Sequence, residues 1–135
     1  MHLFSEYKNK TIAIIVLILF YSCKKEEVSN PDLYNTKINI TSPPEKSSYK
    51  NEENLVIKAV ITSDVIMHGY EILIHEINTS ISKTIKTRHT HGKEFLIDET
   101  YKVECIKDID YILEIIAFID HSGIKLSEKV EINCK

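Results

Sequence analysis

Tryptophan is absent from this chain, and glycine, proline and cysteine occur only three times each in 135 residues. No P-loop, Rossmann glycine pattern, nucleophile elbow, HExxH or CxxC is present, so the chemistries that need those motifs are not expected. Positive charge is not concentrated either. The net charge is -3 and no basic block extends beyond Lys24-Lys25, which argues against a nucleic-acid partner. No internal repeat is visible. These absences leave a binding or structural module, not an enzyme, as the expectation.

One long apolar run is present. Thr11 to Tyr21 (TIAIIVLILFY) follows Lys8 and Lys10 and precedes Ser22 and Cys23. It is too short to cross roughly 30 Å of hydrocarbon as a permanent helix, and it reads as a secretion signal. Leu19-Phe20-Tyr21-Ser22-Cys23 resembles a lipobox. That resemblance implies that the Cys23 thiol is acylated and becomes the new N-terminus, with the membrane as a partner through lipid. An uncleaved N-terminal anchor is the alternative. Residues 1–22 are then a signal peptide, 23–36 the lipidated Cys and a tether, and 37–135 a folded domain. Lys24 to Thr36 is polar, charged and interrupted by Pro31, a flexible spacer at most about 45 Å long. Cys23-Lys24-Lys25-Glu26-Glu27 also resembles the export signal of Bacteroidota-type lipoproteins, which implies an outer-membrane location, periplasmic or surface-exposed. A solvated charge run is the plainer reading.

Beyond the tether, period-2 alternation dominates. Strands are expected at Lys37–Thr41, Leu55–Thr62, Met67–Ile77, Ile81–Thr87, Lys93–Glu99, Tyr111–Ile119 and Ile124–Asn133. The fourth is edge-like because Lys83 and Lys86 interrupt it. Thr100 to Asp110 is a long connection in which a short helical turn is expected. Seven short strands with turn signals between them predict an all-β, antiparallel sandwich. With Cys23 lipidated, Cys105 and Cys134 remain as an even pair, which in an exported protein points to a disulfide. Cys105 as a small buried apolar residue is the alternative.

Ile38-x-Ile40-x-Ser42-Pro43, Tyr49 and Leu55-x-Ile57-x-Ala59-x-Ile61 resemble the opening of bacterial immunoglobulin-like domains. Met67-His68-Gly69-Tyr70-Glu71, Thr90-His91-Gly92 and Asp120-His121-Ser122-Gly123 are similar to motifs of an uncharacterised Bacteroidota-type lipoprotein family carrying such a domain. The resemblance runs from Lys37 to the C-terminus and implies a fold and a location but no activity. Members often carry further histidines near the last Cys, where this chain has Ile132-Asn133.

The histidines form the one pattern that exceeds a bland binding module. In an up-and-down chain of antiparallel strands, alternate connections lie at one end. His68, the pair His89 and His91, and His121 fall in three such connections, with Asp64 and Asp120 beside them. Imidazoles on separate loops of a rigid scaffold supply the nitrogen ligands that Zn²⁺ or Cu²⁺ prefers, and Asp120 is placed either to bind the ion or to orient a ring. His75 sits mid-strand on the polar face. Solvated loop histidines and an ordinary Asp-His-Ser-Gly hairpin turn are the plain alternative.

Three readings follow: a non-enzymatic extracytoplasmic module that contacts a protein or glycan; a Cu- or Zn-binding lipoprotein using His68, His89, His91, His121 and Asp120; and a metal-dependent hydrolase with Asp64 or Asp120 as base. Anchoring is directly testable. Replacing Cys23 with Ser should shift the protein out of the detergent phase or leave it as unprocessed precursor. Mass spectrometry of the native N-terminus checks this, and an intact signal with unmodified Cys23 would refute it.

Overall fold

The computed structural model describes residues 34–105 and 108–135. Cys23, the apolar run before it and the tether as far as residue 33 lie outside the described residues. Eight strands follow one another: β1 (Lys37–Ser42), β2 (Ser47–Tyr49), β3 (Asn54–Met67), β4 (Gly69–Glu76), β5 (Ser82–Arg88), β6 (Gly92–Lys102), β7 (Ile109–Phe118) and β8 (Lys125–Cys134). They make two packed sheets, one ordered β1-β3-β6 and the other β2-β8-β7-β4-β5. Every pairing is antiparallel except the short parallel contact of β2 with β8. The result is an all-β sandwich, with the strands partitioned between sheets as in an immunoglobulin-type fold.

Alternation in the sequence becomes the two inner faces. Leu55, Ile57, Ala59 and Ile61 of β3 are at most 3% exposed, whereas Val56 and Lys58 between them face outward. Tyr70, Ile72 and Ile74 of β4 and Tyr111, Leu113, Ile115 and Ala117 of β7 close on them from the opposite sheet, joined by Phe95, Ile97, Val130 and Ile132. Each large side chain buried in this way contributes roughly 1.5–3 kcal/mol. A slip of one residue in any of these strands would turn its apolar set to water, so the register is strongly specified.

Several expectations need correction. The described residues form eight strands where about seven were expected, because Ser47–Tyr49 pairs with Ile132–Cys134. The edge strand expected at Ile81–Thr87 is present as β5, and its partner is β4 within the larger sheet. Strand β6 continues to Lys102, since Thr100, Tyr101 and Lys102 pair with Val56, Leu55 and Asn54. The connection after it is therefore shorter than Thr100–Asp110, and its described residues contain no helical turn.

Strand direction organises the ends of the sandwich. β3, β5 and β7 run toward one end, and β4, β6 and β8 leave from it. The chain also enters there: Lys37 pairs with Thr62, and the hydroxyls of Thr36 and Ser63 are 2.8 Å apart in a hydrogen bond.

Cys105 and Cys134 form a disulfide at the opposite end, with Cα atoms 6.3 Å apart. Asn51 Oδ1 accepts the Cys105 backbone N–H at 2.9 Å, and the Tyr111 hydroxyl donates to the Glu104 carbonyl at 3.0 Å. This bond spans 29 positions of sequence, so the loop-entropy model assigns it about 3–4 kcal/mol. The double variant Cys105→Ala/Cys134→Ala should lose about that much unfolding free energy in a urea titration. A loss below about 1 kcal/mol would show that the crosslink adds little to the packed core.

Candidate metal centre

Three connections bring imidazoles to the end where β3, β5 and β7 finish. His68 is the residue between β3 and β4; His89-Thr90-His91 crosses from β5 in one sheet to β6 in the other; His121 follows β7 in the turn to β8. One donor atom from each of His68, His91 and His121 can be chosen so that all lie within 4.8 Å of one another. The His68 ring centre is 3.8 Å from that of His121 and 4.8 Å from that of His91. His89 stands one step outside, its ring centre 5.1 Å from His91 in an edge-on arrangement.

Gly69 makes the approach of these loops feasible. Its φ of +129° is one that residues with a side chain rarely adopt, and a Cβ there would run into the Arg88 carbonyl and crowd His89 Cα. With only hydrogen at that position, the end of β5 closes against the β3–β4 corner and delivers His89 and His91 beside His68. The corner is held in turn by the His68 N–H, which donates to the Phe118 carbonyl at 2.8 Å.

His68 is the inner member of the group. It is half-buried while His91 and His121 are exposed, and its Nδ1 is buried without a hydrogen-bond partner in the protein. An atom in that condition is destabilising unless something satisfies it. Burial lowers the His68 pKa from its ordinary value, and the nearby His121, His91 and His89 rings lower it further by repelling a second charge; Asp120 opposes them. His68 is therefore biased toward the neutral form that ligates metals.

Asp120 is not among the converging donors. Its Oδ1 accepts the backbone N–H groups of Ser122 at 2.9 Å and Ile124 at 3.0 Å, while Oδ2 accepts the Ser122 hydroxyl. The Ser122 hydroxyl and these backbone donors, outweighing desolvation, hold its carboxyl below the usual range. With Gly123 at φ +98°, the Asp120–Gly123 segment is a built turn that presents His121. Asp120 reaches the cluster through its field on His68. Asp64 is exposed on β3 and also stands outside the converging group.

A metal bound at about 2.0–2.1 Å by tetrahedral nitrogens needs those nitrogens roughly 3.3 Å apart. Donors already within 4.8 Å need only small side-chain rotations to reach that spacing. The set is all imidazole, which suits Zn²⁺ and Cu²⁺ better than the hard, oxygen-seeking Mg²⁺ or Ca²⁺.

Elsewhere, a cleft of about 180 Å³ opens between the β5 and β6 edges, lined by Ile81, Lys83, Tyr101, Glu104 and Tyr111. It is below the ~300–1,000 Å³ of ordinary small-molecule sites, and the Lys83 ammonium fills part of its mouth by bonding to Glu104 at 3.1 Å and lying over the Tyr101 ring.

No protein-family model matches this chain, and no curated protein matches it either.

His75 belongs to a different arrangement, which sequence reasoning missed because its partner is 39 positions away. On the outer face of the larger sheet His75 Nε2 lies 2.8 Å from Glu114 Oε2, and Lys129 Nζ is 3.5 Å from Glu114 Oε1. Partial burial pushes the Glu114 pKa up, but Ser127, His75 and Lys129 together outweigh it and hold the carboxyl below its ordinary 4.5. A depressed carboxylate contributes stability that is complete above its unfolded pKa and is lost as pH falls through the folded value. Glu114→Gln should therefore cost about 1–2 kcal/mol at pH 7. Its denaturation midpoint should fall less than that of the wild type between about pH 5 and pH 3. Parallel pH dependence of the two proteins in chemical denaturation would refute this role.

Proposed function

We propose that this chain is a lipid-anchored, non-enzymatic extracytoplasmic module that captures a transition-metal ion, Zn²⁺ or Cu²⁺, at its histidine end. The observation that carries this reading is the convergence of His68, His91 and His121 from three separate connections, together with a buried His68 Nδ1 that has no partner. Exposed loop histidines arise often, but solvation alone does not account for the orphaned nitrogen. The lipobox-like Leu19-Phe20-Tyr21-Ser22-Cys23 supports the anchor. A capture role is favoured over hydrolysis because the carboxylate nearest in sequence, Asp120, has both oxygens engaged in its turn and so makes a poor general base. A protein or glycan partner remains compatible with the exposed strand faces, but nothing as specific as the imidazole cluster favours one.

Calorimetric titration of the untagged protein with Zn²⁺ and with Cu²⁺ at neutral pH should give one site per chain, tighter than millimolar. Replacing His68 and His121 together with Gln should abolish binding and leave the far-UV spectrum unchanged. Binding should weaken below about pH 6, because protons and metal compete for the same nitrogens. A flat titration with both metals would overturn the proposal.

A further inference from the structure

The three converging donors leave one corner of a tetrahedron unassigned. We propose that His89 occupies it, so that metal binding closes a four-imidazole cage with no position left for water or substrate; this rests on the metal-capture reading above.

His89 is suited to the part by placement. It is separated from His91 by a single residue in the crossing between sheets, which keeps the two side chains near each other. The edge-on contact of the two rings at 5.1 Å agrees with that. His89 sits where Gly69 draws the end of β5 against the His68 corner, and it is close enough for its charge to act on His68. Yet it is exposed and its side chain makes no hydrogen bond among those of the described residues, so nothing has to be broken for it to swing inward. Asp120, the carboxylate nearest to His121 in sequence, is tied into its turn, and Cys105 and Cys134 are joined to each other at the far end of the sandwich.

The chemical consequence is a division of labour. His68 and His121, held by the β3–β4 corner and the Asp120 turn, form a fixed floor. His91 completes a triad, and His89 acts as a movable lid ligand. A saturated nitrogen site holds its ion but offers it nothing to activate, unlike catalytic zinc sites, which keep an open position.

Cobalt(II) serves as a coloured substitute for zinc, because tetrahedral and higher-coordinate Co²⁺ absorb differently in the visible. With the full untagged protein, Co²⁺ should give intense four-coordinate bands that excess azide leaves unchanged. His89→Gln should bind Co²⁺ more weakly by at least the roughly 10- to 100-fold that loss of a mere outer-shell partner costs, and its bands should now shift with azide. Because His89 is exposed, this variant should fold as the wild type does, which circular dichroism checks. Wild-type bands that respond to azide, or an affinity that His89→Gln leaves unchanged, would overturn His89 as the fourth ligand while leaving the triad in place. Failure of the wild type to bind Co²⁺ or Zn²⁺ at all would overturn both readings.

Discussion

The antiparallel ladder between β4 and β7, running without a break from Gly69–Phe118 to Glu76–Tyr111, anchors the rest of the architecture. It joins the central strands of the larger sheet and places Tyr70, Ile72 and Ile74 beside Tyr111, Leu113, Ile115 and Ala117 on one buried face. With β4 and β7 locked in opposite directions, β7 must finish where β4 begins. His68 and His121, which flank those two points, are then neighbours by necessity and not by loop chance. The β3–β6 ladder imposes the same condition on the other sheet and brings in the β5–β6 crossing with His91. The imidazole cluster is thus a by-product of strand polarity, and the hydrophobic registers that enforce polarity also enforce the site.

How much of this could be read from the sequence depends on the range of the interaction responsible. Alternation in Leu55–Ile61 and Tyr111–Ala117 is local, strong and one-sided, so those strands and their inward residues were legible. So was the shared end of the three histidine-bearing connections, since it needs only strand count parity and antiparallel pairing. Ser47–Tyr49 was not, because three residues carry no period and their pairing with Ile132–Cys134 is a long-range event. The sheet to which Ile81–Thr87 belongs was likewise invisible, being settled by its ladder with β4. The Asp120 carboxylate shows the limit for chemistry: its proximity to His121 in sequence made it an attractive ligand, but the N–H groups of Ser122 and Ile124 are nearer claimants. Gly69 carried a signal in retrospect, a glycine between a histidine and a buried tyrosine, though its reason lies in the Arg88 backbone.

The two ends of the sandwich hold different groups. The far end holds the Cys105–Cys134 bond, the Asn51 contact and the Tyr111 hydrogen bond, and also the unpartnered buried hydroxyl of Ser47. The histidine end carries the orphaned His68 nitrogen, mutual repulsion among imidazoles and a glycine in an unusual backbone conformation. Such local costs are typical of sites that gain from a ligand. A ligand that satisfies His68 would return that free energy, coupling occupancy to stability by ordinary mass action.

The chain enters the sandwich beside Thr62 and Ser63 at the histidine end, whereas β8 carries it out past Cys134 at the other. The C-terminus at Lys135 therefore lies at the end away from the imidazoles. A reporter or affinity handle fused at the C-terminus would sit at the end away from the imidazoles.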